Sequence, residues 1–285
     1  MRGFIAKDGG TIRSIRAVAY HNVDNAMIPS FRRQLAHYRR WYDNVREDDL
    51  LSFFSGAASE KTDDGSDKPR SRQGIIITFD DGLLSHYTVA APLLEEHGFR
   101  GWFFIPAAMP RLSAEEQRKF CLDNRLLIPE GQGGRIGMNI EEIIDLESRG
   151  HVIGCHTMNH RRFDGHVDRG VAEKEIREAK NALVSLTGKP VKSFAWVGGE
   201  PETYNAVAQR VIENENFSFS FTTLSEKIGM KSDPLFLHRT VLDADMAYPV
   251  FRAKLSGLSD IRHWARRRSV GKRIMMRPFR KSGGF

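Results

Sequence analysis

Short apolar runs alternate along the chain with longer segments in which apolar residues recur at helical spacing. Apolar runs of about four to eight residues bounded by turn residues indicate buried strands, and recurrence every three to four residues indicates amphipathic helices. The pattern predicts strands at 16–21, 74–79, 100–105, 151–155, 192–197, 217–222 and 235–242. It predicts helices at 30–42, 46–54, 85–97, 139–149, 170–187, 202–215 and 245–257. Such alternation is typical of a parallel α/β sheet or barrel.

Two segments interrupt this alternation. Residues 55–73 are polar and rich in Gly, Ser and Asp, which predicts a flexible surface loop. Residues 106–138 form a long connection that contains the sequence EGQGGRIG. Neither divides the chain cleanly and no internal repeat is evident. We therefore expect one catalytic domain at 1–260, with a loop at about 55–73 and an insertion at about 106–138.

The charge of the chain is concentrated at its C-terminal end. Residues 261–285 contain nine Lys or Arg and no acid. Subtracting these nine from the total of 43 leaves 34 basic residues against 36 acids, a formal charge of −2 for residues 1–260. The domain itself therefore gives no reason to expect a nucleic-acid partner. The basic tail at 261–285, in which apolar residues separate the charges, is expected to bind an anionic membrane surface or to be a solvated tail.

No N-terminal apolar leader and no apolar stretch long enough to span a bilayer is visible in the sequence. The two cysteines, Cys121 and Cys155, are too few for a disulfide framework. These features predict a cytoplasmic protein, peripheral at the inner leaflet if the tail binds lipid. The sequence gives no information on the oligomeric state.

Polar residues follow three of the predicted strands: His21, the pair Asp80–Asp81, and His156 with His160. In parallel α/β folds the chemistry collects at the carboxyl ends of strands. Two histidines and one carboxylate with an open fourth position are typical of a catalytic zinc site, and the second Asp can act as a base beside the metal. Strand alternation is expected to send the two Asp side chains in different directions. His86, without a visible partner, is expected at the surface.

The segments IIITFDDG (75–82) and HTMNH (156–160) resemble the NodB-type polysaccharide deacetylases, carbohydrate esterase family four. The resemblance extends from about residue 17 to 245, and AYHNV (19–23) is similar to the circularly permuted branch. It implies a distorted (β/α) barrel that hydrolyses an N-acetyl or small N-acyl group in a metal-dependent reaction. The implied substrate is an amino sugar of a cell-surface polysaccharide or of its nucleotide- or lipid-linked precursor.

The resemblance also implies roles for individual residues. Asp81, His156 and His160 correspond to the metal ligands, and Asp80 to the general base. His21 corresponds to the histidine that protonates the leaving amine, with His238 as a rival. The implied cofactor is a divalent metal, first of all Zn²⁺, although an Asp-His-His set also accepts Co²⁺, Ni²⁺ or Fe²⁺.

The segment FAWVGGE (194–200) departs from the family pattern, since Val197 replaces a proline and a familiar arginine is missing. In this segment Gly198 occupies the position at which the family's backbone N–H binds the oxyanion, so the resemblance implies that role for the Gly198 N–H. Trp196 is expected in the core or, near the barrel mouth, against a sugar ring. Arg239 on a late strand is a candidate to orient Asp80 in place of the missing arginine.

Three alternatives remain at this point. The chain could be a non-catalytic carbohydrate-binding relative, or an amidohydrolase or deformylase that acts on a non-polymeric substrate. Two His and one Asp also form the facial triad of non-haem iron oxygenases. The His-x-Asp spacing of that triad is absent here, and the second adjacent Asp would have no role.

Overall fold

The computed structural model of the chain describes residues 4–5, 11–56, 73–129, 134–165, 167–258, 260–261 and 263–264. The predicted loop and basic tail therefore lie largely outside the described residues. The strands of the described part are β1 (Phe4–Ile5), β2 (Thr11–Ile12), β3 (Ile15–Tyr20), β4 (Tyr42–Asn44), β5 (Gln73–Phe79), β6 (Trp102–Ile105), β7 (Val152–Cys155), β8 (Ser193–Ala195), β9 (Phe219–Thr222) and β10 (Leu237–Val241).

Helices connect these strands. The α-helices of the described part are α1 (Ile28–Trp41), α2 (Glu47–Ser55), α3 (Ala91–Glu96), α4 (Ala114–Asn124), α5 (Ile140–Ser148), α6 (Arg169–Glu173), α7 (Ala179–Thr187), α8 (Ala206–Asn214) and α9 (Tyr248–Ser256). Two π-helical turns complete longer helices: His86–Ala90 leads into α3, and Lys174–Glu178 joins α6 to α7. Such turns occur frequently at functional sites.

Seven parallel strands close into a barrel in the order β3, β5, β6, β7, β8, β9, β10. The ring closes because β3 pairs with β5 on one side, from Ile15↔Gly74 to Tyr20↔Phe79, and with β10 on the other, at Arg239↔Ala17. The short strand β4 adds to the start of β5. The predicted distorted (β/α) barrel is therefore confirmed, and the carboxyl ends of its strands open on one face.

Alternation along the strands separates an interior core from an outer one. Trp102, Phe104 and Phe221 belong to the interior cluster, whereas Phe103 and Ile105 pack outwards in the cluster shared with the helices. Gly154 is required beside Phe104, because a Cβ there would lie 2.4 Å from the Phe104 ring. The interior is thus filled by side chains.

The insertion predicted at 106–138 contains a helix that the sequence pattern did not predict. Ser113 caps α4 by accepting a hydrogen bond from the Glu116 N–H at 3.4 Å, while the Glu116 carboxylate accepts one from the Ser113 N–H at 2.8 Å. This capping box is the signal that could have located α4. The buried Gln117 side chain binds the Ile136 and Gly137 N–H groups at 2.9 and 3.0 Å and so holds the insertion together.

The chain after α9 remains attached to the barrel beyond the predicted boundary at 260. Asp260 binds the buried Arg16 guanidinium through both oxygens, at 2.8 and 2.9 Å. Three residues on, His263 Nδ1 accepts a hydrogen bond from the Ser225 N–H at 2.8 Å. Domain contacts thus extend to His263. Among the described residues, no helix is long and apolar enough to cross a membrane.

Candidate metal and catalytic site

The two adjacent carboxylates lie just past the end of β5, and both are almost fully buried. Asp80 continues the strand direction, since its N–H donates to the Tyr20 carbonyl at 3.0 Å. Asp81 adopts a left-handed conformation with φ 76°. A positive φ outside glycine is uncommon and clusters at functional sites. The turn at Asp81, rather than the strand alternation that we expected, separates the two side chains.

Asp80 points into the barrel and pairs with Arg239 from the last strand. Arg239 Nη1 lies 2.6 Å from Asp80 Oδ1, and Nη2 lies 2.8 Å from Oδ2. Arg239 is fully buried, and it also donates to Thr78 Oγ1 at 2.9 Å and to the Thr222 carbonyl at 3.2 Å. Burial raises the pKa of Asp80, but Arg239, His156 and His21 outweigh it, so this pKa lies below its ordinary value. Asp80 is therefore ionised at neutral pH.

Asp81, His156 and His160 converge on one point beside this pair. One ligand atom from each lies within 4.8 Å of the other two. The Nε2 atoms of His156 and His160 lie 3.4 and 3.1 Å from Asp81 Oδ1. Burial raises the pKa of Asp81, but the hydrogen bonds from both histidines hold it well below its usual range. The structure thus brings together the three residues named as candidate metal ligands.

Hydrogen bonds from the far side of each imidazole set its orientation. His156 Nδ1 donates to the Ala195 carbonyl at 2.8 Å, and His160 Nδ1 donates to the Asn124 carbonyl at 3.0 Å. Because a carbonyl only accepts, Nδ1 carries a proton in both rings, and Nε2 is the atom that each ring directs towards Asp81. Metal-binding histidines are usually fixed in this way. The donor set and its orientation therefore fit a divalent cation.

A buried carboxylate that the sequence analysis did not identify shapes the loop between the two histidines. Glu175 Oε2 accepts hydrogen bonds from the Met158 and Asn159 N–H groups at 3.1 and 2.9 Å, and Oε1 accepts one from Asn159 Nδ2 at 2.8 Å. Glu175 lies in the π-helical turn between α6 and α7. The loop also places Thr157 and His160 at positive φ, 66° and 53°. No periodicity signal in the sequence indicates this contact.

His21 follows β3 and is exposed at the mouth of the barrel, near enough to Asp80 to lower the pKa of its carboxyl. His86, in contrast, is fully buried, so the expectation of a surface position is wrong. Its Nε2 lies 2.5 Å from the His21 carbonyl oxygen. Burial lowers the pKa of His86 to about 4, so its ring is neutral at physiological pH.

Three predicted site residues remain: Gly198, Trp196 and His238. Gly198 has φ 80° and lies three residues after Ala195, the residue that holds His156. Trp196 is fully buried and its Nε1 donates to Ser220 Oγ at 3.2 Å, so of the two positions expected for it, core or sugar platform, the structure shows the core. His238 faces away from Arg239 by strand alternation and its Nδ1 pairs with Thr222 Oγ1 at 2.6 Å, which removes it from the site.

The barrel and these converging residues define a chain of the deacetylase type. The family model for polysaccharide deacetylase matches residues 67–219, more than half of the chain, and the protein belongs to this family. It is 20% identical over 192 residues to a Bacillus subtilis (strain 168) protein that bears the name polysaccharide deacetylase YxkH. That match spans 67% of this chain and 60% of the relative.

Solved structures share the fold at low sequence identity. The Streptococcus pyogenes deacetylase PplD, in complex with acetate, gives a TM-score of 0.64 at 16% identity over 86% of this chain and 99% of its own. The de-N-acetylase from Aggregatibacter actinomycetemcomitans gives a TM-score of 0.63 at 15% identity, over 85% of this chain and 99% of its own. IcaB from Ammonifex degensii gives 0.61 at 17% identity, over 87% and 97%. These likenesses establish the barrel architecture.

Proposed function

We propose that the protein is a metal-dependent hydrolase that removes an N-acetyl or other small N-acyl group from an amino sugar. The observation that carries the proposal is the convergence of Asp81, His156 and His160 beside the Asp80–Arg239 pair at the open end of the barrel. Family membership and the names of the structural relatives support the carbohydrate substrate.

Asp81, His156 and His160 would hold the divalent cation, with Zn²⁺ favoured by the mixed N/O donors and Co²⁺, Ni²⁺ or Fe²⁺ as alternatives. When bound, such a cation polarises the acyl carbonyl and lowers the pKa of a water molecule. Asp80, kept ionised by Arg239, accepts the proton of the attacking water. The Gly198 N–H, at the position that the family motif gives to this role, donates to the developing oxyanion. His21 then gives its ring proton to the amine nitrogen as the C–N bond breaks.

The proposed substrate is a cell-surface polysaccharide or its nucleotide- or lipid-linked precursor. The test is a screen for acetate or formate release from nucleotide sugars, lipid-linked sugars and chito-oligomers, with Asp80→Asn as the control. Removal of a positioned base lowers the rate by about 10²–10⁴-fold. Chelation should abolish release and one divalent cation per chain should restore it, with the metal identified by elemental analysis. Release that persists in Asp80→Asn removes the proposed base from the mechanism.

The proposed partner of the basic tail is an anionic membrane surface. Ile261 and Trp264, at the edge of the described part, are 76% and 54% exposed, and residues 261–285 carry nine Lys or Arg and no acid. The proposed location is therefore the cytoplasm, at the inner leaflet when the tail binds lipid. A chain truncated after Trp264 keeps Asp260 and His263 in place. It should lose sedimentation with anionic vesicles, and equal sedimentation of both chains would contradict the proposal.

A further inference from the structure

Three consecutive residues at the end of β3 are tied to the segment that follows the two carboxylates. The Tyr20 carbonyl accepts from the Asp80 N–H at 3.0 Å, the His21 carbonyl from His86 Nε2 at 2.5 Å, and Asn22 Oδ1 from Ser85 Oγ at 3.0 Å. The segment that carries His21 is therefore attached at three successive residues to residues 80–86, twice through a backbone carbonyl and once through the Asn22 side chain. Residues 80–86 also supply Asp80 and Asp81.

His86 is the buried member of these contacts. It begins the π-helical turn that leads into α3, and its ring packs against the stacked pair Phe79 and Phe103 at centroid distances of 5.3 and 6.0 Å. Because the His21 carbonyl can only accept, Nε2 of His86 carries the proton. Its Nδ1 is buried and has no hydrogen-bond partner among the described residues. Within the described part of the chain, the one hydrogen-bond partner of this buried ring is therefore the carbonyl of His21.

We propose that His86 is a positioning residue for His21: its Nε2–H fixes the backbone of His21 so that the exposed imidazole meets the departing amine. The inference rests on the proposed function, in which His21 protonates that amine. An exposed side chain just past a strand end has rotational freedom, and a displacement of about 1 Å in a reacting group costs about 10²-fold in rate. Fixing the backbone at His21 removes part of that freedom.

A packing role alone would also place an aromatic ring against Phe79 and Phe103, and two variants separate the possibilities. His86→Phe keeps an aromatic ring and removes the donor, and it also removes the unpartnered Nδ1, so we expect it to fold. His86→Gln keeps an N–H donor on a side chain of similar length and loses the aromatic ring. If His86 positions His21, His86→Gln should retain hydrolysis of the amide and His86→Phe should not. If His86 only fills space, the reverse should hold.

The informative readout is the ratio of kcat for an N-acetyl amino sugar to kcat for 4-nitrophenyl acetate. The phenolate of the ester leaves without a proton, so a general acid matters only for the amide. His21→Ala should lower the ratio about 10²-fold, His86→Phe about tenfold, and His86→Gln by less than about threefold. The double variant His21→Ala/His86→Phe should match His21→Ala alone, because both changes act on one group. An unchanged ratio in His86→Phe, or a double variant in which the two effects multiply, overturns the inference.

A substrate-free measurement keeps the inference separate from the proposed function. Long-range ¹H–¹⁵N spectra of the imidazoles should show one set of His21 signals in the wild type and in His86→Gln, and shifted or broadened signals in His86→Phe. If His21→Ala leaves the amide-to-ester ratio unchanged, the proposed acid role fails while the spectra still test the positioning. If the His21 signals are identical in all three proteins, His86 does not position His21, whatever the reaction.

Discussion

Arg239, on the last strand of the barrel, binds both carboxylate oxygens of Asp80 at 2.6 and 2.8 Å. Asp80 lies just past the second barrel strand, and neither side chain is open to solvent. The two residues are 159 positions apart in the chain. Barrel closure is what brings them together, since β10 and β5 both pair with β3. The pair keeps a buried carboxylate ionised at the position of the proposed base.

Replacing Arg239 by Met should destabilise the fold by about 3–5 kcal/mol, because the change leaves a buried carboxylate without its counter-charge. The pKa of Asp80 is depressed in the folded protein, so its stabilising contribution is present above the ordinary carboxyl pKa and is lost as the pH falls through the folded value. In Arg239→Met this pKa rises. The acid limb of the pH–rate profile should therefore move to higher pH.

Arg239→Lys is the matched control, since it retains the charge without the planar fork that grips both oxygens. Its acid limb should lie between those of the wild type and Arg239→Met. Chemical denaturation and pH–rate profiles with the same substrate give both quantities. An acid limb that does not move in Arg239→Met would show that Asp80 does not limit the rate.

The neutral buried imidazole of His86 predicts a loss of stability in mild acid. Burial lowers its pKa to about 4 from 6.5, so between these values the unfolded chain binds a proton that the folded chain does not. Its stabilising contribution is complete above about pH 6.5 and falls as the pH decreases towards 4. Between about pH 7.5 and 4.5 the wild type should lose about 2–3 kcal/mol more unfolding free energy than His86→Gln. Parallel urea titrations of the two proteins that differ by a constant amount at every pH would contradict this.

Glu175→Gln should weaken metal binding without touching a ligand. The carboxylate accepts three hydrogen bonds from the loop that carries His156 and His160, and an amide nitrogen in its place would oppose at least one donor. Loss of such a supporting contact typically costs about 10–100-fold in metal affinity. Competition titration with a chromogenic chelator measures the effect.

Glu178→Gln provides the comparison, because Glu178 lies in the same π-helical turn and is exposed. Its metal affinity should equal that of the wild type. Equal affinities in all three proteins would mean that the loop holds its shape without Glu175.

Gly198→Ala should be more harmful than Gly188→Ala, although both glycines have positive φ, 80° and 69°. A left-handed alanine costs about 1–2 kcal/mol at either position. At Gly198 the added Cβ would also lie 2.9 Å from Thr203 Cγ2, whereas at Gly188 it would meet nothing within 4 Å. Thermal denaturation should show the difference in stability. If the Gly198 N–H binds the oxyanion, kcat should also fall towards the 10²–10³-fold that such a donor contributes (about 3–4 kcal/mol), while Gly188→Ala keeps its activity.

The strands and the two metal-site segments were readable from the sequence because apolar runs and paired chemical motifs are local signals. The predicted strands 74–79 and 151–155 agree within one residue with the observed Gln73–Phe79 and Val152–Cys155, and both motifs follow them directly. The predicted strand at 192–197 is shorter, Ser193–Ala195, and helix 202–215 begins only at Ala206 behind the Asn205 cap. Strand β4 has three residues and no pattern long enough to detect.

What the sequence did not predict depends on contacts between distant residues or on backbone turns. The two π-helical turns rotate His86 and Glu175 into the interior, and periodicity at 3.6 residues does not register such a shift. The positive φ of Asp81 cannot be inferred from its residue type. The carbonyl of Asn124 orients His160 only because α4 folds across the site, and that helix was missed as well.

The ring of strands also governs when the site can exist during biosynthesis. His21 leaves the ribosome early and Arg239 late, yet Asp80 needs a strand from each end of the barrel beside it. The segment matched by the family model, 67–219, contains the three candidate ligands but neither of these two residues. A nascent chain that has emerged only that far could gather its ligands, but Asp80 would still lack its counter-charge. Hydrolytic competence should therefore appear late in synthesis, when β10 closes the ring.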